Sequence, residues 1–338
     1  MTTNYKLSEK IYRIMPKAVF IEEFGGPEVM QMVDTQVSPP NSHEVTIHNT
    51  AIGLNFIDTY HRSGLYPVEL PSHLGLEGSA VVTALGADVD TFNLGDRVAY
   101  AGLPIGAYSE QRNYPADRLV KIPESIPSDL AAASMLKGLT AWYLANKSYP
   151  IKIGDSVLIY AAAGGVGLFL CQWANHLGAH VIGVVSTSEK AELAQQNGCT
   201  ETLYPDDKKL VKKVKDLTNG KGVAAVYDSV GKDTFYQSLD CLQPHGVMVS
   251  YGNATGAVEP FPVLELASRG SLFVTRPVLF DFIKQREDLV NAANELFTFI
   301  SKKIIRVHLN TIMPLADVVE AHINLESRST TGSTILKP

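Results

Sequence analysis

Along the 338-residue chain the pattern of apolar and polar positions changes character twice. From residue 17 to about 127, short apolar runs are separated by Gly25-Gly26-Pro27, Ser38-Pro39-Pro40, Asn93-Leu94-Gly95-Asp96 and Gly102-Leu103-Pro104, all turn signals. Stretches such as Val45-Thr46-Ile47-His48, and Arg97-Val98-Ala99-Tyr100 after a Gly-Asp turn, predict antiparallel β structure. Residues 156–188 read differently, because they contain no Asp, Glu, Lys or Arg. Within them, 157–160 predict a buried strand and 161–167 a tight turn of small residues. Val166, Leu170, Trp173, Ala174 and Leu177 then fall at helical spacing, with Gly178 placed as a C-terminal cap. Further strands are expected at 180–185, 223–227 and 247–251, with helical stretches before the last two. Repeated strand–helix–strand units imply a doubly wound parallel sheet with right-handed crossovers and a ligand at the strand C-termini. From Arg276 to the end the chain resumes a helix and a strand that return to the first domain. The predicted organisation is therefore an insertion: an N-terminal extension over 1–14, a nucleotide domain over 139–276, and a mainly antiparallel β substrate domain from 15–138 and 277–338.

Composition narrows this picture. An apolar run like 156–188 suggests a membrane span, which needs ~20 consecutive apolar residues. Here the run is broken by Gly164, Gly165 and Gly167, then by Gln172, Asn175 and His176. Strands buried on both faces of a parallel sheet are expected to be this apolar. A net charge of −6 without a basic block disfavours nucleic acid as a partner. The first 17 residues hold Lys6, Lys10, Arg13 and Lys17 but also Glu9, and no apolar signal core, so the expected location is the cytoplasm. Cys171, Cys199 and Cys241 form no C-x-x-C pair, which fits a reducing compartment and excludes a four-cysteine zinc lobe.

The chemistry begins at the turn. Ala162, Gly164 and Gly167 occupy the G-x-G-x-x-G positions, with Ala for the first Gly, between a strand and a helix. That arrangement lets backbone N–H groups meet a pyrophosphate at a helix N-terminus. A fold selecting NAD usually puts an acid ~20 residues after the turn to bond the ribose 2′-OH, whereas a 2′-phosphate wants cations and neutral donors. Here Val184-Val185-Ser186-Thr187-Ser188 carries no acid, and Lys190 follows. Glu189 is the objection; in the first turn of a helix its charge complements the macrodipole.

Several motifs in order resemble the quinone oxidoreductase (zeta-crystallin-like) branch of the zinc-free medium-chain dehydrogenase/reductases, its bacterial NADPH:quinone reductases in particular. They are Gly25-Gly26-Pro27-Glu28-Val29, Gly53-Leu54-Asn55-Phe56-Ile57-Asp58-Thr59-Tyr60 and Arg62-Ser63-Gly64-Leu65-Tyr66-Pro67. Leu136-Lys137-Gly138-Leu139-Thr140, the 161–167 turn, Tyr227-Asp228-Ser229-Val230-Gly231 and Val274-Thr275-Arg276-Pro277 follow. The resemblance runs from about Met15 to the C-terminus and implies a Rossmann domain inserted in a GroES-like substrate domain. Zinc-dependent relatives place Cys-His where this chain has Asn55-Phe56, and Gly-His-Glu where it has Gly75-Leu76-Glu77. Asn, Phe and Leu cannot replace thiolate and imidazole ligands, so zinc-assisted alcohol chemistry is not expected.

The resemblance implies NADPH, contacted by Lys190, Tyr204 and Arg328 beside Ser186, by Gly164, Gly165 and Val166 at the pyrophosphate, and by the backbone of Val274, Thr275 and Arg276 at the nicotinamide carboxamide. Ser229 and Tyr251, Gly252, Asn253 and Ala254 stand at later strand ends, where the crevice rule puts ligand; Thr140 and Tyr143, one turn apart, would face the same groove. Asn55, with Phe56 beside it, takes the place of a metal ligand, so its amide would bond the acceptor oxygen or orient the nicotinamide. Tyr60 and Tyr66 are candidates to stack on the acceptor and donate a hydrogen bond to it. The expected activity is metal-free reduction of a small-molecule quinone. An NADPH-dependent alkenal or enone reductase and a non-catalytic NADPH-binding sensor or structural protein remain alternatives. The resemblance also implies a homodimer through an edge strand of the nucleotide domain.

Overall fold

The computed structural model describes residues 15–205 and 209–338, so the expected extension over 1–14 lies outside the described residues. Six strands form one parallel sheet in the order Glu201–Leu203, His180–Val184, Ser156–Tyr160, Val223–Asp228, Leu242–Ser250, Phe273–Thr275. The reversal of order at Ser156–Tyr160 is the switch point outside whose carboxyl end such sheets bind ligands. Strands 156–160 and 223–228 are buried almost throughout, which explains their unbroken apolar sequences.

The helix predicted after the turn spans Gly165–His176, with Leu170, Trp173 and Ala174 fully buried and Gly178 at φ +83° behind it. The strand expected at 247–251 differs from expectation at both ends. It begins at Leu242, ends at Ser250 and leaves Tyr251 beyond the sheet. Its first half was hidden because a bulge lies between the pairs Val223–Leu242 and Ala225–Val247, and Gln243-Pro244-His245-Gly246 fill it with turn residues.

The rest of the chain builds the antiparallel parts. Gln31–Asp34, Lys17–Ile21 and Ser72–His73 form a three-stranded sheet. A seven-stranded sheet runs Leu309–Pro314, Ser333–Lys337, Glu44–Leu54, Glu77–Leu85, Arg97–Ala101, Val120–Lys121, with Gln111–Pro115 also paired to Glu44–Leu54. Two of its strands thus come from the C-terminal segment, and of its pairs only theirs is parallel. The helix Met135–Tyr143 runs from this sheet towards the parallel one, and Arg286–Ser301 packs against it.

Periodicity did not foresee the helix Phe56–Ser63 inside the β-rich region. Its signals were terminal: the Asp58 carboxylate accepts the Asn55 backbone N–H at 2.9 Å, and Gly64 at φ +79° closes the helix. No helix among the described residues is long and apolar enough to cross a membrane.

Candidate active site

A cavity of about 430 Å³ runs from the turn after Ser156–Tyr160 to the helix Phe56–Ser63. At one end lies the turn. Ala161 adopts φ +49°, and its carbonyl accepts the Gly164 N–H at 2.8 Å. A side chain on Gly167 would place Cβ 2.2 Å from the Ala161 oxygen, so helix and strand approach as closely as their backbones permit. The first-turn amides of a helix have no partner within it. Gly164, Gly165 and Val166 line the cavity at that helix start.

Beyond the turn stand two cations. Lys190 Nζ donates to the Arg328 carbonyl at 2.6 Å, and Arg328 Nη2 to the Ala254 carbonyl at 3.2 Å. None of the ion pairs among the described residues involves either cation. Burial lowers the Lys190 pKa, a sign that its ammonium is partly desolvated. Ser186 lines the same stretch. Glu189 behaves as its helix position suggests: backbone and hydroxyl hydrogen bonds at the N-terminus hold its carboxyl below the usual range.

The other end is aromatic. Asn55, Phe56, Tyr60, Tyr66, Thr140 and Tyr143 all line it, and Tyr143 stacks on Phe282 with ring centroids 4.7 Å apart. Tyr60 Oη accepts the Asn253 backbone N–H at 2.9 Å. Tyr66 Oη accepts from Asn253 Nδ2 at 3.1 Å and from Arg276 Nη2 at 2.6 Å. Each phenol oxygen is thus an acceptor towards the protein, and each keeps its own O–H to give. Burial pushes the Tyr60 pKa to about 12, so this phenol is a hydrogen-bond donor and not an anion at neutral pH.

Ser229, Tyr251, Gly252, Ala254 and Arg276 reach the cavity wall as the strand-end rule expects. Asn253, Val274, Thr275 and Tyr204 do not line it: Asn253 buttresses the two phenols, and Tyr204 stands exposed beside the lining residue Pro205.

The sequence reading missed what holds Asn55. Glu77, fully buried, accepts from Asn55 Nδ2 at 2.8 Å, from the Leu136 N–H at 2.7 Å and from Lys137 Nζ at 3.1 Å. A buried lysine paired with a buried glutamate gives no local signal, since the partners are far apart in sequence. The same holds for Cys171 and Cys199, whose sulfurs lie 3.3 Å apart behind the turn. Among the described residues no group of three or more His, Cys, Asp or Glu side chains could hold a metal ion.

Asp58 joins Asn55 to a second buried chain of polar groups. Arg62 pairs with Glu326 at 2.8 Å and reaches His322 Nδ1 at 3.0 Å; His322 Nε2 lies 3.0 Å from Tyr108 Oη, which donates to Asp58 Oδ2 at 2.8 Å. Burial and the Arg62 charge lower the His322 pKa to about 3, so the neutral ring accepts from Arg62 and donates to Tyr108. Burial raises the Asp58 pKa to about 7, against hydrogen bonds from Tyr108 and Asn55 that lower it.

The folded chain therefore holds the Asp58 proton up to about pH 7, while the unfolded chain releases it near 3.8, so this group's contribution to stability falls as pH rises between those values. From about pH 5 to 8 the protein should lose roughly 2–3 kcal/mol more than Asp58→Asn. Urea unfolding at both pH values measures this, and parallel losses would show that Asp58 does not titrate in that window.

With the geometry in view, two family descriptions match the chain: "Alcohol dehydrogenase GroES-like domain" over residues 41–124 and "Zinc-binding dehydrogenase" over 165–292. Fold and matches together define a medium-chain dehydrogenase/reductase. A quinone oxidoreductase of Pseudomonas aeruginosa is 49% identical over 96% of this chain and 100% of its own. A 2-haloacrylate reductase of a Burkholderia species is 43% identical over 96% of this chain and 99% of its own. The crystal structure of Escherichia coli quinone oxidoreductase complexed with NADPH superposes with a TM-score of 0.93, at 47% identity, covering 95% of this chain and 100% of that one. The chain belongs to the quinone oxidoreductase family.

Proposed function

We propose that the protein is an NADPH:quinone oxidoreductase that reduces quinones without a metal ion. The observation that carries this reading is the single cavity joining two cations, without an ion-pair partner among the described residues, at one end to Asn55, Tyr60 and Tyr66 at the other. Its relatives are named quinone oxidoreductases, and one of them was crystallised with NADPH. In this reading residues 139–276 bind most of the dinucleotide, while 15–138 and 277–338 supply the acceptor side and complete the cofactor site through Asn55, Phe56 and Arg328. The protein would be cytoplasmic, and a homodimer through the edge strand Phe273–Thr275, where Phe273 is exposed.

Bound NADPH would supply the hydride. Gly164, Gly165 and Val166 would meet the pyrophosphate, and Ser186, Lys190, Tyr204 and Arg328 the 2′-phosphate. Thr140, Tyr143, Ser229, Tyr251, Gly252 and Ala254 would line the path to the nicotinamide, with Asn253 holding the two phenols beside it. Of the segment Val274, Thr275 and Arg276 that the resemblance puts at the nicotinamide carboxamide, Arg276 lines the cavity and would be the one to reach it. Asn55 and Phe56 would orient the ring.

Reduction of a quinone to its hydroquinone consumes one hydride and one proton. Tyr60 and Tyr66 each keep an O–H to present to the acceptor oxygen, which stabilises the negative charge that develops there. Neither phenol has to lose its proton permanently, because the cavity opens to water.

The second reading, reduction of a conjugated alkene, is favoured by the 2-haloacrylate reductase among the relatives. A non-catalytic NADPH sensor would bind the cofactor and consume no acceptor.

The test is NADPH oxidation with 1,4-benzoquinone, 9,10-phenanthrenequinone and an alkenal, with NADH and a chelator in parallel. Quinone-dependent oxidation with NADH poor and the chelator inert is the expected result. Alkenal turnover alone moves the function to double-bond reduction, and binding without turnover of any acceptor leaves the sensor. In the same assay Lys190→Ala should raise KM for NADPH roughly tenfold, the worth of one charge-assisted hydrogen bond, and leave KM for NADH nearly unchanged.

A further inference from the structure

The aromatic end of the cavity carries a positive charge that the fold leaves uncompensated. Arg276 follows the strand Phe273–Thr275 and lines the cavity. Its Nη2 donates to Tyr66 Oη at 2.6 Å and its Nη1 reaches the Pro277 carbonyl at 3.5 Å. Among the described residues it has no carboxylate partner. Lys137, Arg62 and Arg269 have carboxylate partners in Glu77, Glu326, and Asp240 with Glu265, whereas Arg97, Arg112 and Arg286, like Arg276, are held by neutral oxygens; of these four, Arg276 lines the cavity.

A guanidinium presents five N–H donors in a planar fork, so most of the donors of Arg276 stay free. Its surroundings are aromatic: Tyr66 lies edge-on to Tyr60 with centroids 5.0 Å apart, and Tyr143 lines the same end. The Arg276 charge also pulls down the pKa values of both Tyr60 and Tyr143 against the upward push of burial, which places it within electrostatic reach of both rings. A neutral planar acceptor can stack on these rings but leaves the guanidinium unmatched. An acceptor carrying a carboxylate or sulfonate fills the rings and the fork together, with charge-assisted hydrogen bonds from the guanidinium at the cavity mouth, where Arg276 is exposed.

We infer that Arg276 is a specificity-determining residue, and that the cavity prefers acceptors bearing an anionic oxygen group, a carboxylate or sulfonate on a quinone ring or conjugated alkene. The inference rests on the reductase reading of the cavity. Tyr66 follows from the same geometry: with its oxygen already accepting from Arg276 and Asn253, its O–H is left for the acceptor carbonyl, while the anionic group takes the free guanidinium N–H groups.

The experiment compares kcat/KM for 1,4-naphthoquinone and 1,4-naphthoquinone-2-sulfonate with NADPH in the full-length protein, Arg276→Gln and Arg276→Lys. The ratio of the anionic to the neutral substrate is the readout. Comparing it between proteins cancels the different intrinsic reactivity of the two quinones. Arg276→Gln should lower the ratio about fivefold or more, the upper range for a partly screened ion pair, and Arg276→Lys should retain most of it. Added salt should lower the ratio in the wild type and leave that of Arg276→Gln unchanged.

An equal ratio in wild type and Arg276→Gln, with both quinones reduced, overturns the inference and leaves the reductase reading standing. A rise in KM for NADPH at constant ratio also overturns it, because Arg276 would then serve the cofactor. If the wild type reduces neither quinone, the reductase reading falls and this inference with it. Should Arg276→Gln fail to fold, the salt dependence of the wild type and the behaviour of Arg276→Lys still decide.

Discussion

Replacing Glu77 with alanine is expected to cost about 3–5 kcal/mol of stability, the loss that follows when one partner of a buried ion pair is removed. Glu77 is fully buried, and its two oxygens accept from the Leu136 N–H, Lys137 Nζ and Asn55 Nδ2. Alanine leaves Lys137, whose side chain is only 6% exposed, without a counter-charge. It also leaves the Leu136 amide and the Asn55 side chain short of an acceptor at once. The damage should reach function, because Asn55 loses the contact that fixes its amide at the cavity wall.

Denaturant titration of the variant gives the stability term, and NADPH titration by fluorescence gives the effect on the site. The double variant Glu77→Leu with Lys137→Met removes both charges and should recover much of the stability but not the orientation of Asn55. A Glu77→Ala protein within about 1 kcal/mol of wild type would mean that Lys137 finds water or another partner in the folded chain.

Gly167→Ala should be nearly as damaging, by a different route. The added Cβ would lie 2.2 Å from the Ala161 carbonyl oxygen and 2.8 Å from that of Ala162, and both are backbone atoms that cannot swing aside. The helix Gly165–His176 must move away from the end of Ser156–Tyr160, which costs about 2–3 kcal/mol by analogy with overpacked cores. Affinity for NADPH should fall more than about tenfold, since displaced amides no longer converge on a phosphate.

Gly165→Ala is the control. Its Cβ would meet side-chain carbons, Lys137 Cδ at 2.9 Å and Cε at 3.0 Å, and the Gly332 oxygen at 3.2 Å, so the tightest contact is with a lysine stem held by Glu77 and not with backbone at 2.2 Å. It should therefore be milder in both stability and binding. Thermal melts and NADPH titrations of the pair decide; equal NADPH affinity of Gly167→Ala and wild type would mean that this turn is not the seat of the cofactor.

Much of the cavity was legible in the sequence because its parts are local. Gly164, Gly165 and Val166 sit in one turn, Ser186 and Lys190 in the next strand–helix junction, and Tyr251, Gly252 and Ala254 at another strand end. Each belongs to a short segment whose composition reports its backbone geometry. Asn253, read from its strand end, and Tyr204, given by the resemblance, show the limit of local reading. Neither side chain enters the lining, because a residue beside a strand end can face the groove, the neighbouring loop, as Asn253 does, or solvent, as Tyr204 does.

The helix Phe56–Ser63 was missed for a related reason. Its eight residues are too few for periodicity to register, and only its capping residues marked it. The extension of Leu242–Ser250 was hidden by turn residues that fill a bulge.

The sequence by itself determined the parallel sheet, the glycine turn, the absence of zinc-ligating residue types at positions 55, 56 and 76, and the switch to antiparallel structure before residue 127. These follow from periodicity and residue chemistry, which act over a few neighbouring positions. Only the tertiary structure decided that Glu77 holds Asn55 and Lys137, that Arg62, His322, Tyr108 and Asp58 form one buried chain, and that Arg276 meets Tyr66 across 210 positions. Such contacts form where separate segments of chain are folded against one another, and the free energy that favours them comes from burial and charge pairing that no local stretch of sequence contains.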